Sequence, residues 1–270
     1  MHSSPPPDMP SPSAGVPRLT RTGRLDYFKT TGHISQCRGD PVGRRRWRPS
    51  STASRRTVLT SRTTGDDMSE SAAPAPSVAV AFHSGYGHTA VLAEAVRRGA
   101  ADAGADVAFV PVDTITDEQW QRLDDADAIV FGSPTYMGGA SAGFHTFAEA
   151  TSKRFVEGRW ADKLAAGFTN SASKSGDKSN TLAYFAALAA QHRMLWVSLG
   201  LAPGWNSTTA SENDLNRLGF WAGAGAQTPM DGGTDTVHPA DIATAEHLGA
   251  RVARQAALLA AGRHALSATA

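Results

Sequence analysis

The 270-residue chain contains one cysteine, Cys37. With no second thiol, the chain has no internal disulfide. The sequence beyond Cys37 has no thiolate nucleophile and no cysteine-ligated cluster. Such sparing use of cysteine suits a reducing compartment, and a cytoplasmic location is the expectation. No apolar run approaches the roughly 20 residues needed to span a bilayer, so the chain reads as soluble, without a membrane partner. No 7–15-residue apolar stretch follows the early arginines, which argues against a secretory signal.

The first quarter also lacks apolar periodicity. Residues 1–67 carry 12 Lys and Arg against 5 Asp and Glu, whereas residues 68–270 carry 14 against 20. The near-neutral total therefore hides a basic tail on an acidic body. That tail holds Pro5-Pro6-Pro7 and the run Arg44-Arg45-Arg46-Trp47-Arg48, and its composition supports no core. Residues 1–67 are expected to be disordered. Their Arg- and Ser-rich make-up resembles an organellar leader, or a segment that touches nucleic acid or an anionic surface. The plainest reading makes Met68 the true or an alternative start, with one folded domain over 68–270.

The most informative stretch runs from Ser77 to Gly104. Val78-Ala79-Val80-Ala81-Phe82 is continuously apolar, as in a parallel strand covered on both faces. Ala90, Val91, Ala93, Ala95 and Val96 then recur at helical spacing. The loop between them contains Ser84, Gly85, Tyr86, Gly87, His88 and Thr89. Its amides and hydroxyls can converge with the helix N-terminus on one phosphate. What it lacks narrows the ligand. No lysine follows the second glycine, which excludes the P-loop pattern. The third glycine of the dinucleotide fingerprint is missing too. A lysine-free cradle suits a single phosphate monoester, such as the end of FMN. An ordinary strand-to-helix turn would also account for the serine and glycines.

Strands and helices alternate through the rest of the body. Strands are expected at 107–111, 128–131, 165–169 and 194–199, with helices near 117–123, 141–153, 181–191 and 239–261. Thr116 is a plausible N-cap for the first of these helices. This pattern predicts a doubly wound α/β fold with a parallel sheet and helices on both faces. Ligands of such sheets bind beyond the carboxyl ends of the strands, where loops 83–89, 132–139 and 170–176 would meet. All three loops are rich in glycine and hydroxyl residues. The segment 200–238 is long for a structureless loop, and its Trp205, Phe220, Trp221 and Met230 suggest an interface or a lid.

Ser84-Gly85-Tyr86-Gly87-His88-Thr89 and Gly132-Ser133-Pro134-Thr135-Tyr136-Met137-Gly138, in that order, resemble signatures of the WrbA family of FMN-dependent NAD(P)H:quinone oxidoreductases, within the flavodoxin-like superfamily. Phe168-Thr169-Asn170-Ser171, Gln191-His192-Arg193-Met194 and Pro229 to Gly233 extend the likeness over residues 77–262. The resemblance implies a five-stranded sheet of order 2-1-3-4-5, FMN as cofactor, NAD(P)H as electron donor and a small-molecule quinone as acceptor. It also implies a homo-oligomer, a dimer or tetramer, and gives no role to nucleic acid or metal.

By position, the resemblance places Ser84 to Thr89 around the FMN phosphate and Pro134, Thr135, Tyr136, Met137 and Gly138 along the ring edge. Ser171, Ala172, Ser173 and Gly176 fall under the pyrimidine end and ribityl chain. His192 corresponds to a histidine that approaches the flavin from a neighbouring subunit, the expected catalytic residue. Tyr86 and Phe155 fall on the substrate side. Tyr136 departs from the family, which commonly has a basic residue there. By default His192 would be a helix-end histidine, and Trp160, Trp205 and Trp221 would serve packing as readily as a pocket. A flavodoxin-type electron carrier is the main alternative, and a flavin-free relative the third.

Overall fold

A computed structural model describes residues 75–267. The expectations for residues 1–67, Cys37 and Met68 lie outside the described residues. In chain order the elements are β1 (Ser77–Phe82), α1 (His88–Asp102), β2 (Asp106–Pro111), α2 (Asp117–Asp125), β3 (Ala128–Tyr136), β4 (Gly139–Ala140), α3 (Ala142–Ala150), α4 (Ser152–Glu157), β5 (Leu164–Ser171), α5 (Lys178–Gln191), β6 (Leu195–Trp196), β7 (Ala224–Gln227) and α6 (Pro239–Ser267).

The parallel sheet runs β2-β1-β3-β5, with β6 and β7 sharing the place beyond β5. Setting aside the short antiparallel β4, this is the expected order 2-1-3-4-5. Successive strand side chains point to opposite faces. Val78, Val80 and Val130 therefore join Leu92, Val96, Leu248 and Val252 under α1 and α6. Ala79, Ile129 and Phe131 join Phe144, Trp160 and Phe185 on the other face. The unbroken apolar run of β1 reflects burial on both faces.

Local signals set the helix starts. The Thr116 hydroxyl accepts from Gln119 N at 3.2 Å, and the Gln119 side chain accepts from Thr116 N at 2.9 Å, a reciprocal capping box. Ser141 caps α3 by accepting from Phe144 N. Helices α1 and α6 cross at two glycines. A Cβ on Gly99 would meet the Glu246 backbone, and one on Gly249 would meet the Val96 backbone.

Two expectations need correction. The fifth strand does not run unbroken over 194–199. It is paired only at Leu195 and Trp196, then resumes as β7, where Phe168 to Ser171 face Ala224 to Gln227. The intervening excursion is organised around buried Asn216. Its side chain accepts from Phe220 N and donates to Phe220 O, both at 3.0 Å, while its backbone N–H donates to Thr244 Oγ1. Next to it, Arg217 forms a buried bidentate pair with Asp241 at 2.8 and 2.7 Å. Paired polar groups make this excursion part of the body rather than a structureless loop. The second correction concerns residues 132–136, which continue β3, so that only Met137 and Gly138 form the turn into β4.

Candidate functional site

Beyond the carboxyl ends of β1, β3, β5 and β7 lies a cavity of about 600 Å³. The loop after β1 supplies Tyr86, His88 and Thr89, and the end of β3 supplies Pro134, Thr135, Tyr136 and Met137. The end of β5 supplies Ser171 and Ala172. Three stretches far apart in sequence, each singled out there, thus meet at one place. Asn170, Thr228 and Met230 complete the wall. Asn170 and Met230 fall within segments that carried the resemblance, but Thr228 gave no signal, since its place depends on β7.

The loop after β1 has the polarity of an anion cradle. Ser84 Oγ accepts from Ala90 N at 3.0 Å and so caps α1. The backbone N–H groups of Gly85, Tyr86, Gly87, His88 and Thr89 donate to no described residue. Gly87 takes a left-handed conformation, φ 88°, at the helix start. His88 Nε2 meets the Gly232 carbonyl at 2.9 Å and therefore carries the proton. That bond ties the cradle to the segment after β7. The amides and the helix dipole supply positive potential without a lysine or arginine.

A buried hydroxyl chain braces the opposite wall. Thr169 Oγ1 donates to Ser133 O at 2.7 Å, which leaves Thr135 to donate to Thr169, and Thr181 to Thr135, at 2.8 and 2.7 Å. Ser133 in turn accepts from Ser141 N, and Ser141 Oγ meets His83 Nδ1 at 2.7 Å. At the rim, Tyr86 and Tyr136 meet edge-to-face with centroids 6.3 Å apart. Burial pushes the Tyr136 phenol above its usual value, and the adjacent Tyr86 adds to this. The Met137 side chain is fully exposed.

Ser84, Gly85, Gly87, Gly138, Ser173 and Gly176 belong to the same loops without lining the cavity. Gly176 stands against Ser171, where a side chain would clash. His192 and Phe155 are elsewhere. His192 ends α5 in the core under Trp160, 3% exposed, with ring centroids 4.6 Å apart. Thr151 Oγ1 donates to Ala148 O and therefore accepts from His192 Nε2 at 2.8 Å. His192 Nδ1 is buried without a hydrogen-bond partner among the described residues. Phe155 packs edge-on to it at 6.0 Å. Trp160 is also core, donating to Asp124 Oδ1 at 2.9 Å. Among the described residues no three His, Cys, Asp or Glu side chains gather as a metal site. No helix there is long and apolar enough to cross a membrane.

Residues 80–202 match the family described as NADPH-dependent FMN reductase. Flavodoxin FldP of Pseudomonas aeruginosa (strain UCBPP-PA14) is 43% identical over 178 residues, covering 65% of this chain and 94% of that protein. An NAD(P)H dehydrogenase (quinone) of Archaeoglobus fulgidus is 32% identical over 201 residues, covering 66% of this chain and 96% of that protein. Among solved structures, the flavodoxin, WrbA-like protein from Agrobacterium tumefaciens is 40% identical with a TM-score of 0.55, covering 68% of this chain and 98% of that one. Fold, cavity position and these likenesses converge: the chain belongs to the WrbA-like family of FMN-dependent NAD(P)H:quinone oxidoreductases, within the flavodoxin-like superfamily.

Proposed function

We propose that the protein is an FMN-dependent oxidoreductase that takes reducing equivalents from NAD(P)H and passes them to a quinone, using the one cavity for donor and acceptor in turn. The observation that carries this reading is the meeting of the loops after β1, β3 and β5 around that cavity. The residues present fit FMN. Spare amides at Gly85 to Thr89 suit its phosphate. Pro134, Tyr136 and Met230 offer apolar contact to a flat ring, and Asn170 and Ser171 offer polar contact to its edge.

FMN supplies the hydride-accepting ring and the two-electron chemistry. The chain's own task is binding and orientation. The cradle fixes the phosphate end, the braced β3 wall holds the cavity's shape, and Tyr86 with Tyr136 narrows the entrance. No side chain is required as a nucleophile. A homo-oligomer, for which exposed Trp205 and Trp221 provide apolar surface, belongs to the same reading, as does a cytoplasmic location.

The likeness to a protein named flavodoxin favours a second reading, an FMN-binding electron carrier that another reductase must reduce. One experiment separates the two. The purified protein with FMN is mixed anaerobically with NADPH or NADH, then with a benzoquinone. Bleaching of the flavin band by the nucleotide, recovery with the quinone and parallel double-reciprocal lines are expected. Bound FMN that neither nucleotide bleaches would overturn the oxidoreductase reading in favour of the carrier.

A further inference from the structure

Lys178 opens α5 with its side chain fully buried, and no carboxylate bonds to it. Nζ donates to Ser171 Oγ at 2.7 Å and meets the carbonyls of Ser173, Lys174 and Ser175 at 2.6, 3.1 and 3.2 Å. Gln227 Nε2 donates to the Ala172 carbonyl at 2.8 Å. Four consecutive carbonyls, Ala172 to Ser175, are thus committed to donors behind the turn. The N–H groups of Ala172 to Gly176 donate to no described residue. Each of these residues has one backbone donor and one acceptor, so the turn has its acceptors engaged and its donors spare.

The turn adjoins the cavity, since Ser171 and Ala172 line it. Beside them Asn170, 4% exposed, accepts from Thr228 Oγ1 at 3.0 Å through Oδ1. Its Nδ2 hydrogens have no partner among the described residues, although the side chain lines the cavity. Burial lowers the Lys178 ammonium to about 8, Asp241 raising it and Arg217 lowering it from nearby, so at neutral pH it carries its charge.

We propose that the 170–178 turn is an electropositive wall. In it Lys178, the spare amide of Ala172 and Asn170 Nδ2 hold FMN more tightly reduced than oxidised. The inference rests on the FMN reading above and specifies the electrostatics of that site. Hydride transfer from NAD(P)H brings two electrons and one proton to the ring, releases NAD(P)+ and leaves the ring with one added negative charge. A cation one hydrogen bond behind the wall acts on that charge through protein rather than water, where the interaction is stronger. Lys178 touches no reacting atom. It is a positioning residue that orders the turn and sets its sign.

The test uses the full chain with FMN itself. Fluorescence quenching gives the affinity for oxidised FMN, and redox titration against a reference dye at pH 7 gives the ratio of reduced to oxidised affinity. Lys178→Met is expected to lower that ratio at least tenfold, about 30 mV for a two-electron couple, with a smaller change in oxidised affinity. A ratio within twofold of wild type overturns the inference. Asn170→Asp keeps the lysine and the side-chain size while adding a negative charge to the wall. It is expected to lower the ratio in the same sense, and an unchanged ratio there also overturns the inference if Lys178→Met loses FMN altogether. Wild-type protein that binds no FMN overturns the functional reading and this inference with it. An unchanged ratio in an FMN-binding variant overturns the inference alone.

Discussion

Met137 stands at φ 48° and Gly138 at φ 83°, two successive left-handed residues between β3 and β4. A two-residue hairpin turn of this kind favours Asn-Gly or Gly-Gly, and a residue with a Cβ enters the region at a cost of about 1–2 kcal/mol. The fully exposed Met137 side chain has no packing to offset this. Met137→Gly should therefore raise stability by up to about 1 kcal/mol, the entropy glycine adds to the unfolded chain removing part of the gain. Urea denaturation would measure it. Met137 thus stands strained at the rim of the cavity. The placement of residues was legible where chemistry and position coincide, as at Thr89, which lines the cavity. That of Lys178 was not, because a lysine at a helix start is ordinarily solvated and only the folded turn shows four acceptors closing on it. The burial of His192 was not legible either, because its neighbours in sequence say nothing of the Trp160 ring that covers it.

At the scale of elements, the long apolar strands β1, β3 and β5 were plain in the sequence because a strand buried on both faces must be apolar throughout. The edge was not. β7 is Ala-Gly-Ala-Gln, whose small side chains give neither alternation nor a β-branched signal, and it pairs only because β5 offers an open ladder. The α1–α6 contact was equally hidden, since a glycine inside a helix reads as a weakness until a backbone is found against it. Gly249→Ala forces a methyl group against the Val96 carbonyl and should cost about 1–3 kcal/mol, as overpacking does. A matched alanine at Gly262, where the space is open, should instead be neutral or stabilising. Thermal melts of the two variants side by side would check this.

The molecule as a whole should be sensitive to mild acid. Burial lowers the His192 pKa, with Arg193 contributing. Burial also lowers that of His247, where the nearby arginines assist and a bond to Leu199 O opposes. Both folded values lie below the unfolded value of about 6.5, so the unfolded chain binds protons the native state refuses. Stability is then full above about pH 7 and declines as pH falls through the unfolded value toward the folded ones. The denaturant midpoint should drop between pH 7 and 5.5, and less so in His192→Asn, whose amide can still donate to Thr151.

The interrupted sheet edge carries a different consequence. β5 meets first β6 and then, after a gap of two residues, β7, so the strand beyond it leaves the ladder and returns to it in step. An excursion that rejoins in register is a detour whose removal costs the ladder no alignment. Evolution could therefore vary the exposed parts of the stretch between Ser198 and Ala224, around Trp205 and Trp221, without rewiring the layers beneath, so long as Asn216 and Arg217 keep their buried partners. The exposed tips of this excursion are thus where the chain can acquire new partners while its pinned base and the cavity side stay fixed.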